Sequence, residues 1–149
     1  MSRQEDIRYD FLESDKIWPP GIAPTNFLDA LTEVLRRIPS DDYDTVSEYV
    51  LFVVQDLRFA AINVPFNQTY PPCPDSRQVR FDTIVVFCQA LTYPHTALVG
   101  LLAHEIAHSI VSKQEYKDDE QAANDLVQQW GFGDELLALR SEHEIERHR

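Results

Sequence analysis

From Phe27 to Ile38 the apolar positions Phe27, Leu28, Leu31, Val34, Leu35 and Ile38 recur at intervals of three and four, which lays them along one face of a helix. Pro24-Thr25-Asn26 supplies its start and Pro39-Ser40-Asp41-Asp42 its stop. Thr45-x-x-Glu48 reads as a capping box ahead of an apolar run, so a second helix is expected from Thr45 to about Arg58. The run from Tyr49 to Val54 is rich in β-branched residues, and a strand is its rival there. Ala60 to Phe66 reads as a short strand closed by Pro65, and Asn67 to Gln78, with three prolines among polar residues, as a loop. Val79 to Gln89 is dense in Val, Ile and Phe and reads as a strand.

Pro94 then breaks the chain, and Thr96 can cap a helix running through His108 to about Ser112. Lys113 to Lys117 turns the chain. Asp118 can cap a helix from Asp119 to about Trp130, ended by Gly131, and Gly133-Asp134 opens a last helix whose end, over 141–149, is charged all round. The first twenty-two residues, acidic and closing on Trp18-Pro19-Pro20-Gly21, are expected to form an extended N-terminal segment. No period repeats along the chain, so residues 1–149 are expected to form one domain.

Composition narrows the function classes. Apolar residues make up 44% and charged residues 26%, which suits a globular core. Thirteen Lys and Arg stand against twenty-five Asp and Glu, for a net charge of −12. Such a balance disfavours nucleic acid and anionic membranes as main partners, because both require basic surface. Thr83 to His104 holds no charged residue, but polar residues and Pro94 in its middle point to two buried elements and a loop rather than a membrane span. The N-terminus has charges of both signs and no apolar stretch, so no signal peptide is expected and the protein is taken as soluble and cytoplasmic. Cys73 and Cys88 are too few for a disulfide framework and are expected to be independent thiols, Cys88 as a small core residue. Asp41-Asp42-x-Asp44 looks like the start of a calcium loop, but no glutamate follows at the right spacing, so it reads as solvated acids at the start of a helix.

The chemistry lies in His104-Glu105-Ile106-Ala107-His108. On a helix, residues four apart sit on one face, so both imidazoles can reach one ion. Zinc suits them, taking nitrogen ligands at about 2.0–2.1 Å. Glu105, beside the first ligand, is placed to take a proton from water acidified by the ion and to return it to a leaving group. Without a metal the motif would be two core histidines bonded to backbone carbonyls, a reading that leaves Glu105 without a reason. A catalytic site wants a third protein ligand. Ser109 to Gln114 offers neither glycine nor histidine, and the later histidines, His143 and His148, lie in the charged terminal helix. The acidic candidates are Glu115, Asp118, Asp119 and Glu120; Glu120 is the best, because it opens a helix after a turn long enough to fold back. Asn124, one turn on, could accept the proton of a ligand histidine. Tyr93, His95 and Tyr116 are the nearest candidates for an oxyanion donor.

His104-Glu105-x-x-His108 followed by Glu120-x-x-Ala123-Asn124 resembles the gluzincin arrangement of zinc metallopeptidases, and within it the ImmA/IrrE-type and related minimal gluzincins. The resemblance covers about Thr83 to Trp130. It implies one zinc ion per chain held by His104, His108 and Glu120, with Glu105 as general base and Asn124 behind the ligands. It also implies that Thr83 to Cys88 is an edge strand receiving a protein or peptide substrate. The residues after Asn124 lack the Leu-Leu-Met-Pro ending of that family, and Gly131-Phe132 is closer to membrane-associated gluzincins. The expected fold is therefore α+β and zincin-like: a short mixed sheet packed on the active-site helix, with other helices around it. The expected activity is zinc-dependent endopeptidase hydrolysis. The alternative is a non-catalytic zinc scaffold or interaction module.

Overall fold

The computed structural model describes residues 2–19, 21, 23–55, 82–115 and 120–147. The strand expected over Ala60 to Phe66, the loop that follows it and the Asp118 cap lie outside them. The elements in chain order are α1 (Arg3–Ile7), β1 (Ile17–Trp18), α2 (Thr25–Arg37), α3 (Ser40–Tyr49), β2 (Val50–Gln55), β3 (Asp82–Phe87), α4 (His95–Glu115), α5 (Glu120–Gln129) and α6 (Gly133–Arg147). The chain is α+β and mostly helical.

The N-terminal segment is helical where an extended chain was expected. Ser2 and Glu5 exchange side-chain and backbone hydrogen bonds as a capping box, which satisfies amide groups that a first helical turn otherwise leaves open. The helix continues as a wider turn over Arg8–Leu12, where the Glu13 amide donates to the Arg8 carbonyl at 2.8 Å. Ile7 and Phe11, four apart on one face, are fully buried.

The second helix also departs from expectation. It opens at Ser40 rather than Thr45 and gives way at Val50 to β2, the strand that rivals a helix to about Arg58 over Tyr49 to Val54. Pro39 precedes its first turn, and Asp41 and Asp42 sit inside that turn, where acids complement the positive end of the helix. Thr45 caps nothing; its hydroxyl bonds back to the Asp41 carbonyl.

Among the described residues the sheet is parallel, in the order β1-β2-β3, where a mixed sheet was expected. Phe52 lies opposite Ile84, and Val54 opposite Val86. Val50, Phe52, Val53 and Val54 are all buried, as expected of a parallel strand covered on both faces. Phe52 meets Phe11 edge-on at 6.0 Å and Phe27 at 6.3 Å, tying the sheet to the N-terminal turn and to α2.

α4 is the centre of the molecule. It packs against α2, α3, α5, α6 and β3, and Leu98, Leu102, Ala103, Ile106, Ala107 and Ile110 are fully buried around it. A helix apolar on nearly every side belongs in a core. α6 comes so close that a methyl group on Gly100 would collide with the Glu135 carbonyl. Arg37 secures this end of the bundle, donating to Glu135 at 2.7 Å and to the Gly131 carbonyl at 2.8 Å while its guanidinium covers the Phe132 ring. Trp130 donates to Asp42 at 2.8 Å, which joins α5 to α3. Gly131 ends α5 at φ 89°, a conformation that favours glycine. Among the described residues, no helix is long and apolar enough to cross a membrane.

Candidate metal centre

Between Ala97 and Ser112 the buried α4 has a stripe that reaches the surface. Leu101, His104, Glu105, His108 and Ser112 are half-buried while the positions between them are covered, and their spacing of three and four places them on one face. His104, Glu105 and His108 thus lie along a partly exposed stripe of an otherwise buried stretch of helix.

α5 begins at Glu120 and folds back against α4; the buried Ala123 is small enough to admit the contact. This brings the exposed Glu120 carboxylate onto both imidazoles. Oε1 lies 3.0 Å from His104 Nε2, and Oε2 lies 2.9 Å from His108 Nε2. The two Nε2 atoms are 3.1 Å apart. One ligand atom from each of the three residues can be chosen so that all lie within 4.8 Å of one another.

Proton counting tests whether a cation fits. An ionised carboxylate only accepts, so both Nε2 atoms would have to carry a hydrogen to bond Glu120. Those two hydrogens would then face each other across the 3.1 Å gap. No single set of protons on neutral rings and an ionised Glu120 makes all three contacts favourable. A cation receiving a lone pair from each group does. Two nitrogens bound to one tetrahedral zinc at about 2.0 Å stand about 3.3 Å apart, close to the distance between the imidazoles. The donor set of two imidazoles and one carboxylate is that of a three-ligand zinc site.

If Nε2 gives its lone pair to a metal, Nδ1 carries the hydrogen and needs an acceptor. His104 Nδ1 is buried without a hydrogen-bond partner among the described residues. Asn124 sits one turn beyond Glu120, and among the described residues it makes no hydrogen bond to His104 Nδ1.

No family model, curated protein or solved structure matches the chain. The site therefore stands on its own geometry.

Glu105, on the same stripe of α4, lines a cleft of about 320 Å³ between β3 and α4. Val85, Phe87, Tyr93, Leu101 and Leu102 share its walls. Of the oxyanion candidates, Tyr93 is in this cleft, its ring edge-on to His143 at 6.4 Å. His95 is engaged elsewhere: it is exposed, with Nε2 3.1 Å from Glu33 Oε2, and that hydrogen bond is the main reason the Glu33 carboxyl is held below its ordinary pKa. Tyr116, Cys73, Asp118, Asp119 and His148 lie outside the described residues. Cys88 is a half-buried free thiol beyond the end of β3 and is no part of the cluster. The cleft itself had no signal in the sequence beyond Tyr93, because its walls come from β3, the Ala90–Thr92 turn region and α4.

Proposed function

We propose that the chain is a zinc-dependent metallopeptidase of the gluzincin type, with His104, His108 and Glu120 as ligands and Glu105 as general base. The observation that carries this reading is the convergence of both Nε2 atoms on the Glu120 carboxylate at 3.0 and 2.9 Å. Bound zinc would supply Lewis acidity, polarising a peptide carbonyl and acidifying water. Glu105, half-buried in the cleft wall, accepts a proton from the attacking water and returns it to the leaving amine. Its cleft is bounded by a strand that ends the sheet among the described residues, and such an edge can hold a peptide extended. Tyr93 brings a hydroxyl-bearing side chain to the same cleft, a candidate donor to the developing oxyanion. A carboxylate in an open cleft beside the ligands favours catalysis over a purely structural zinc site, which is closed.

The test is to incubate zinc-loaded protein with a mixture of synthetic peptides and to follow new N-termini by mass spectrometry. Cleavage by the wild type that disappears in a zinc-retaining Glu105→Gln variant is expected. Zinc-saturated wild type that cuts nothing contradicts the reading.

A further inference from the structure

The turn between β3 and α4 carries part of the cleft wall: Gln89, Ala90 and Tyr93 share the lining with Glu105. Its backbone closes on itself, the Leu91, Thr92 and Tyr93 amides donating to the Cys88, Gln89 and Ala90 carbonyls at 3.1, 3.2 and 3.1 Å. So short a turn cannot satisfy its own last carbonyls, and Asn26 Nδ2 donates to that of Leu91 at 2.6 Å. Tyr93 is extended, as a residue before proline should be, and α4 then opens at His95, whose Nε2 lies 3.1 Å from Glu33 Oε2. Asn26 and Glu33 are seven apart on α2 and so share one face of it. Arg37, a turn further along that face, bonds the other oxygen of Glu33 at 3.3 Å and is itself fixed to Glu135 at 2.7 Å. α2 thus grips the turn at Leu91 and again where it enters α4. Exposed polar contacts of this kind add little to global stability; what they fix is where the turn sits.

We infer that Asn26 and Glu33 are positioning residues: from one face of α2 they clamp the 88–94 turn and so hold Tyr93 in place in the cleft beside Glu105. Neither residue lines the cleft, and both act through the turn. The consequence for turnover rests on the proposed peptidase, whereas the hold on the turn is a property of the fold.

Asn26→Asp separates the clamp from the fold. It keeps the shape of the side chain, removes the donor to Leu91, and adds an acid to the first turn of α2, where the helix dipole favours one. Tm is therefore expected to hold or rise. Amide exchange of the full zinc-loaded chain, followed by NMR, is expected to quicken at least about five-fold at Leu91, Thr92 and Tyr93 and to stay as it was at Phe52 and Ile84 in the sheet. Glu33→Gln is expected to act in the same direction, and the double variant to exceed either. On peptides that the wild type cuts, kcat is expected to fall about ten-fold in Asn26→Asp with KM within about two-fold. In a Tyr93→Phe background most of that fall is expected to vanish, because the clamp acts through Tyr93. Unchanged exchange in the turn overturns the inference, and so does exchange that quickens equally in the sheet. A loosened turn with kcat intact overturns it too. Failure of the peptidase reading looks different: the turn amides respond as expected, which upholds the clamp, in a chain whose wild type cuts nothing.

Discussion

His104 and Glu105 are neighbours in the chain and face different surroundings. His104 Nε2 meets the Glu120 carboxylate at 3.0 Å, while Glu105 forms part of the cleft wall with Leu101 and Tyr93. Successive side chains on a helix are about 100° apart, so one residue can serve the metal and the next the reacting group. A single turn of α4 thereby separates two tasks that the proposed hydrolysis needs kept distinct.

This separation makes Glu105 removable without touching the proposed ligands His104, His108 and Glu120. Glu105→Gln is expected to keep zinc at wild-type stoichiometry while hydrolysis falls by about 10²–10⁴-fold. Metal analysis and peptide turnover on the same preparation check it. A variant that loses metal and activity together would make Glu105 part of the metal's support instead.

Gly100 is where α6 comes closest to α4, and a methyl group there would strike the Glu135 carbonyl. Gly100→Ala is expected to force the two helices apart and to cost about 1–3 kcal/mol. At about 2–4 °C per kcal/mol for a domain of this size, a thermal melt resolves the effect. An unchanged Tm would mean that α6 is free to shift.

Tyr43 gives the fold an alkaline limit. Its hydroxyl donates to Asp10 at 2.9 Å; burial first, then that bond, push its pKa well above the ordinary value. The raised pKa means that the folded chain keeps the proton while the unfolded chain loses it near the ordinary value of about 10. This contribution is complete below about pH 10 and is lost as pH rises above it, at up to about 1.4 kcal/mol per pH unit. Urea midpoints at several pH values from 8 to 11.5 are expected to fall less steeply for Tyr43→Phe than for the wild type. Parallel curves would show that Tyr43 does not set the alkaline stability.

The regular parts of this fold are legible where one face repeats. Phe27, Leu31, Val34 and Leu35 announce α2, and the β-branched run of β3 announces a strand. Misreading begins where a local signal serves two elements. Pro39-Ser40-Asp41-Asp42 ends α2 and also starts α3, with only Ile38 and Pro39 between them. Reading it as a stop alone moves the helix start to Thr45. At Val50 the β-branched side chains gain more in a buried parallel strand than Thr45 and Glu48 gain as a capping box. Ser2-x-x-Glu5, with Ile7 and Phe11 four apart, carried a helix signal that the Trp-Pro-Pro-Gly ending outweighed. The candidate site was legible to the extent that it is helical. His104 and His108 follow from one turn of α4, and Glu120 from being the first residue of the next helix. The cleft depends on how β3 lies against α4, a long-range relation that no spacing encodes.

His104, His108 and Glu120 are proposed to hold one metal ion. Zinc content of the purified chain, measured without added metal beside His104→Ala and Glu120→Gln, tests it most directly. About one zinc per chain is expected in the wild type, absent from the histidine variant and more weakly held in the glutamine variant. A wild type that carries no metal and takes up none on titration with zinc would contradict the claim, leaving two histidines paired with an acid on the edge of a core helix.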